Sequence, residues 1–164
     1  IEACHKIYMA GDSAGGNLTL ACLMALKERG ENMPDAALAI SPCTDLTASG
    51  DSMQRCQHLD PIINPDAIKP LAQAYVQGNQ DHNHPLISPL FGQLAGLPPL
   101  MIQTGEAEVL LDDSIRFAHK AKVAGVKVVL ETWPNMPHVF QGFAPFLKQA
   151  NQALKSIGRF FSDH

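Results

Sequence analysis

The sequence predicts an α/β fold built on a mainly parallel sheet of about four strands with helices on its faces, and three observations predict it. Four short apolar stretches, residues 6–10, 36–40, 100–104 and 126–133, read as buried strands with near-continuous rather than alternating hydrophobicity. Helical stretches fall between and after them, at about residues 14–29, 66–77, 112–124 and 144–161. Strands that alternate with helices and are apolar on both faces form a parallel sheet covered on each side. The chain of 164 residues, 46% hydrophobic and 17% charged, has room for one domain with a real core. Residues 1–164 are therefore read as a single domain.

The first strand, Lys6-Ile7-Tyr8-Met9-Ala10, runs through Gly11-Asp12-Ser13-Ala14-Gly15-Gly16 into the first helix. The turn has the form G-x-S-x-G, in which glycines at 11 and 15 are expected to let strand and helix approach while Ser13 is held on a strained corner. That geometry exposes the hydroxyl as a nucleophile. At the helix N-terminus, the N–H of Ala14 and the helix dipole can stabilise an oxyanion on an attacked carbonyl. The turn lacks the Gly-Lys-Ser/Thr end of a phosphate-cradling loop and does not match G-x-G-x-x-G. Asp12 reads as a structural hydrogen-bond acceptor.

The second strand, residues 36–40, leads into a long irregular insert, residues 45–98, rich in Pro, Asn and Asp and containing one helix. The third, Leu100-Met101-Ile102-Gln103, is followed by Thr104-Gly105-Glu106-Ala107-Glu108-Val109-Leu110-Leu111-Asp112-Asp113, which supplies four carboxylates. The fourth, a β-branched run from residue 126, is followed by Trp133-Pro134-Asn135-Met136-Pro137-His138-Val139-Phe140 and then a helical pattern. A histidine and a carboxylate in loops after parallel strands share one edge of the sheet with Ser13. The chain order is then Ser, acid, His.

Beyond the Gly11-Asp12-Ser13-Ala14-Gly15-Gly16 turn, the chain carries Ser41-Pro42-Cys43-Thr44-Asp45-Leu46, Ser88-Pro89-Leu90 ahead of Gly96-Leu97-Pro98-Pro99, and Met136-Pro137-His138. With these motifs in this order, from about residue 6 to 161, it resembles the hormone-sensitive-lipase group of α/β-hydrolase esterases. The resemblance implies a partial α/β-hydrolase fold and hydrolysis of carboxylic esters, with short acyl chains, through a Ser–His–acid triad and an acyl-enzyme. Ser13 is then the nucleophile, His138 the proton carrier, and the Ala14 N–H an oxyanion donor. Glu106, Glu108, Asp112 and Asp113 compete for the acid; the family's spacing of acid, hydrophobic pair and helix-start carboxylate matches Glu108. Asp112 and Asp113 are left as helix-start residues suited to the dipole. Val109, Leu110, Val139 and Phe140 flank the triad and are candidates for the acyl pocket or for plain core packing. Asp45 and Asp60 resemble positions that brace the insert.

The family also has a His-Gly-Gly-Gly loop and a helical cap on its N-terminal side, and this sequence contains no His-Gly-Gly-Gly. The chain is therefore expected to be the C-terminal portion of such a hydrolase, with reduced or no activity in isolation. Its first strand is expected to expose an apolar edge, so that self-association, recruitment of a complementary half, or only marginal stability follows. The resemblance implies a homodimer through the last strand and last helix. The alternatives are a non-catalytic ligand-binding protein on a hydrolase scaffold, or a half-enzyme that needs its N-terminal complement; the joint presence of Ser13, His138 and a suitable acid favours the hydrolase.

A net charge of -4 with scattered Lys and Arg excludes a basic surface for nucleic acid, and no apolar run approaches a membrane span. The first ten residues lack the form of a signal peptide, so a cytoplasmic location is expected. Cys4, Cys22, Cys43 and Cys56 show no metal-site spacing and read as reduced thiols. His82 and His84 read as a polar loop, with no metal and no cofactor expected.

Overall fold

A computed structural model describes residues 6–76 and 81–164. Cys4 and the expected end of the second helix at Gln77 lie outside them.

Four parallel strands form one sheet in the order β1 (Tyr8–Asp12), β2 (Ala36–Ile40), β3 (Leu100–Gly105) and β4 (Val128–Trp133). The register pairs Tyr8 with Ala36, Ala37 with Leu100 and Leu100 with Val128, so the four C-terminal ends align at one edge. Alternation decides which helix covers which face. Ala37 and Ala39 of β2 and Leu100 and Ile102 of β3 pack with Leu20 and Leu23 of α1 (Ala14–Arg29) and Phe117 and Ala121 of α4 (Leu111–Val123). Ala36, Leu38 and Met101 point the other way and meet Ile157, Phe160 and Phe161 of α5 (Lys148–Ser162). Strands 2 and 3 are thus buried on both faces, which is why β2 and the first half of β3, Leu100 to Ile102, read as unbroken apolar runs. Phe117 is wholly inaccessible, and burying such a side chain contributes about 1.5–3 kcal/mol.

The edges differ from the centre. Among the described residues β1 is bonded only to β2, and its residues are exposed or half-buried, with Ile7 just before it 62% exposed. Tyr8 is tied to the end of α5 by a hydroxyl bond to the Phe161 carbonyl, 2.8 Å, and by ring contact. Helix α1 stops at Gly30, whose φ of 65° gives the left-handed turn that lets Glu31 N–H return to the Leu26 carbonyl.

The structure departs from the sequence expectations in four places. Strand β1 begins two residues later and continues through Gly11 to Asp12, because its ladder to β2 runs to Ile40. Among its described residues the insert holds two α-helices, α2 (Ser52–Arg55) and α3 (Pro65–Val76), and a 3₁₀ turn at Pro89–Phe91, where one helix was expected. The short α2 is fixed by a tertiary bond from Ser52 N–H to Asp112 that local pattern does not show. Strand β4 begins at Val128, after a turn at Gly125 with φ 82°. The last helix starts at Lys148 rather than 144, since Phe140–Phe143 forms a separate 3₁₀ turn and Pro145 intervenes.

Candidate active site

The loops leaving the C-terminal ends of all four strands converge, the position where parallel α/β sheets hold their ligands. Ser13 leaves β1 with φ 53° and ψ -119°, a conformation that costs on the order of 1–3 kcal/mol. Its N–H is held by the Ile40 carbonyl at 2.8 Å, at the end of β2. The corner closes because Gly11 has no side chain: a Cβ there would lie 2.2 Å from the Gly15 carbonyl oxygen. Gly15 itself faces open space, contrary to expectation, and Gly16 is the second tight position, where a Cβ would meet Pro42 at 2.9 Å. Ala14 opens α1, and its N–H belongs to the first turn, whose donors have no acceptor within the helix.

His138 leaves β4 almost wholly buried, with Nε2 2.9 Å from Ser13 Oγ. Behind it, Nδ1 faces Glu108 Oε2 at 3.5 Å. Glu108, which follows β3, is inaccessible to solvent, and its carboxylate is held by two hydroxyls. Ser41 Oγ donates to Oε2 at 2.7 Å, and Thr104 Oγ1 donates to Oε1. These bonds replace the water a buried carboxylate has lost. Ser41 Oγ also accepts from the Val139 N–H at 3.2 Å. Val139, at φ 49° and ψ 42°, is a β-branched residue in the left-handed region. Beyond it, Gln141 Nε2 donates to Gln103 Oε1 at 2.9 Å, tying the histidine loop to β3.

The other three acidic candidates lie elsewhere. Glu106 is exposed. Asp112 accepts from Ser52 N–H at 2.9 Å and pairs with Arg55 at 3.1 Å. Asp113 is buried and accepts from Thr44 and Asp45 N–H at 2.7 and 2.8 Å; burial, with Asp45 close by, pushes its carboxyl up to about 7. For Asp45 burial acts upward too, but bonds from Ser49 and Thr47 outweigh it and hold the carboxyl below its usual range. Its oxygen also meets Arg116 at 3.1 Å. Asp60 accepts from Val109 N–H at 3.0 Å, so it braces the insert against the loop that carries Glu108.

Ser13 and Ala14 open onto a cavity of about 290 Å³ walled by Leu46, Ile68, Leu71 and Leu110. Cys43 also lines it, and burial pushes its thiol well up. Of the four residues considered for the pocket, Leu110 is on its wall. Val109 is inaccessible, packed with Met53 and Cys56, and Phe140 is inaccessible against Met136, Ala150 and Ala153. Both are core residues: each lies beside a polar group in sequence, but its side chain turns inward. Val139 is half-buried and contributes its N–H to Ser41. The sequence motifs contain Ser41 and Thr104 but give neither a role; their position at the ends of adjacent strands is the signal that points to them.

Among the described residues no group of three or more His, Cys, Asp or Glu is placed to hold a metal ion, and no helix is long and apolar enough to cross a membrane. Cys22, Cys43 and Cys56 are free thiols.

A parallel sheet with a strained serine at its first strand–helix corner, a histidine against that serine and a buried carboxylate behind it defines the α/β class of hydrolase-type scaffolds. The family model described as alpha/beta hydrolase fold matches residues 3–142, and the chain belongs to that family. It is 39% identical over 155 residues to an acetyl-hydrolase of Streptomyces hygroscopicus, covering 94% of this chain and 52% of that protein. It is also 39% identical over 154 residues to an esterase of Acinetobacter venetianus, covering 94% and 51%. A crystal structure of an esterase from the bacterial hormone-sensitive lipase family superposes with a TM-score of 0.91 at 44% identity, covering 94% of this chain and 52% of that one. The esterase EstE5, in a crystal soaked with p-nitrophenyl butyrate, superposes at 0.89 with 45% identity, covering 93% and 51%. The chain spans about half the length of the relatives it matches.

Proposed function

We propose that this chain carries the catalytic serine, histidine and acid of a carboxylic ester hydrolase acting on short acyl chains. The observation that supports it most directly is Ser13 Oγ at 2.9 Å from His138 Nε2, with Glu108 behind the ring. In this scheme Ser13 attacks the ester carbonyl as His138 Nε2 takes its proton. The tetrahedral oxyanion rests on the Ala14 N–H at the helix N-terminus. His138 then protonates the departing alcohol, and water, activated by the same ring, releases the acid from Ser13. Glu108 orients the ring and stabilises its charged form. A cavity of about 290 Å³ beside Ser13 suits a short acyl group.

The test is hydrolysis of p-nitrophenyl acetate and butyrate by this chain beside Ser13→Ala. Turnover that the substitution abolishes supports the assignment. Failure of Ser13 to react with a fluorophosphonate, together with turnover equal to the Ser13→Ala control, rejects it for this chain and sends the test to the chain joined to the remaining half its relatives possess.

We further propose self-association through the β1 edge, supported by its bonding to β2 alone among the described residues and by the exposed Ile7. A sharp monomeric unfolding transition in dilute solution, with a monomer mass by light scattering, counts against it. A cytoplasmic location is proposed on the three free thiols.

A further inference from the structure

Ser41 is wholly buried and its backbone is left-handed, φ 45°, a conformation that L side chains other than Asn and Asp rarely adopt. Its N–H is anchored to the Gln103 carbonyl at 2.7 Å, and the residue before it, Ile40, holds the Ser13 N–H. The side chain that this backbone presents touches two separate parts of the site. It donates to Glu108 Oε2 at 2.7 Å, the same oxygen that faces His138 Nδ1. It accepts from the Val139 N–H at 3.2 Å, one residue beyond His138. Thr104, by contrast, reaches only the other oxygen of Glu108.

Two costs make this double contact more than packing. Val139 sits in a region that a β-branched side chain resists, so the His138 loop needs an external anchor to stay there. The N–H of the half-buried Val139 finds its acceptor in Ser41 Oγ, itself wholly buried, so removing the hydroxyl takes that partner away. The hydroxyl thereby fixes the carboxylate and the imidazole loop to one atom.

We propose that Ser41 is a positioning residue of the ester hydrolase, whose hydroxyl sets Glu108 and the His138 loop in register with each other. The proposal rests on the esterase reading above for its effect on turnover, and on the bond network alone for its effect on the loop. Ser41 reacts with nothing: its proton stays shared with Glu108, and its lone pair stays on Val139 N–H.

Ser41→Ala and Ser41→Gly test it together. Glycine favours the left-handed φ and alanine resists it, so a role confined to backbone shape separates the two variants, whereas a role of the hydroxyl lowers both alike. The readouts are kcat and KM for p-nitrophenyl butyrate and amide hydrogen exchange at Val139, with Ile102 and Leu38 in the sheet as reference amides. The expected result is a fall in kcat of about tenfold or more in both variants, KM within twofold, and Val139 exchange at least tenfold faster with the sheet amides unchanged. Unchanged Val139 exchange in the glycine variant overturns the proposal whether or not the parent turns over ester. So does a reactive parent whose variants keep kcat within twofold. A parent in which Ser13 does not react at all strikes the esterase reading instead, and the exchange result then decides the register role by itself.

Discussion

Replacing Gly105 by alanine is a direct way to ask whether the histidine loop must sit where it does. Gly105 ends β3 and presses on the loop before His138: an added Cβ would lie 2.0 Å from the Met136 carbonyl oxygen and 2.8 Å from that of Pro137. Relieving that clash to an ordinary contact of 3.4 Å requires the loop to retreat by about 1.4 Å, since both atoms belong to backbone. Retreat also strains the Ala107 N–H bond to Met136, 3.1 Å long. His138 follows two residues later, and its bond to Ser13 is 2.9 Å, so a displacement of this size takes the two atoms out of hydrogen-bond range. A misplacement of about 1 Å costs on the order of a hundredfold in rate, near 2.7 kcal/mol, and overpacking costs about 1–3 kcal/mol of stability. The assay is kcat/KM for p-nitrophenyl butyrate together with the fluorophosphonate labelling rate of Ser13 and the thermal midpoint. Gly142→Ala is the control in the same loop, because a Cβ there meets nothing within 4 Å. Gly105→Ala retaining labelling and turnover within threefold of the parent would refute the reasoning.

Glu108→Gln keeps the shape of the carboxylate and removes its charge from beside His138. It is expected to lower kcat at neutral pH by on the order of a hundredfold to ten-thousandfold, with the thermal midpoint little changed; turnover within threefold of the parent rules out Glu108 as the acid. Asp113 gives a pH prediction. Its carboxyl lies near 3.8 when unfolded and is pushed up to about 7 by burial in the fold, so the fold favours the protonated form. The group's contribution to stability is therefore full below about 3.8 and is lost as pH rises through about 7. Urea midpoints of the parent and Asp113→Asn between pH 4 and 8 are expected to shift in favour of the variant as pH rises; a difference that stays constant across this range removes the assignment.

The architecture was legible because its signals are local. Residues 36–40 and 100–102 are apolar without interruption, which a strand buried on both faces demands, and Ala14–Arg29 is bounded by Ser13 and Gly30. Two of the differences are set by partners distant in sequence. Asp12 belongs to β1 only because Ile40 lies opposite, and α2 forms where Asp112 accepts from Ser52. The same division holds for the site. Ser13 and His138 could be picked from motif and chain order, Glu108 from among four carboxylates only by the spacing the family resemblance implies, and the structure brings these three together. Residue type alone could not separate Leu110 on the cavity wall from Val109 in the core, since adjacent apolar side chains entering a helix point to different sides. Nor could it show that Ser41, 67 residues from Glu108 and 98 from Val139, meets both.

The same distances set the order in which the site can come into being. Ser13 and His138 are 125 residues apart along the chain, and their meeting depends on the pairing of β1 with β2, β2 with β3 and β3 with β4. Closing such long loops is entropically costly, and contacts of this span slow folding. The Ser13 corner is held through Ile40 by the first two strands, whereas the base that reaches its hydroxyl comes from the loop after the fourth. If Ser13 is the nucleophile proposed above, its labelling by a fluorophosphonate reports docking of the final strand, because His138 reaches it only from the loop after β4.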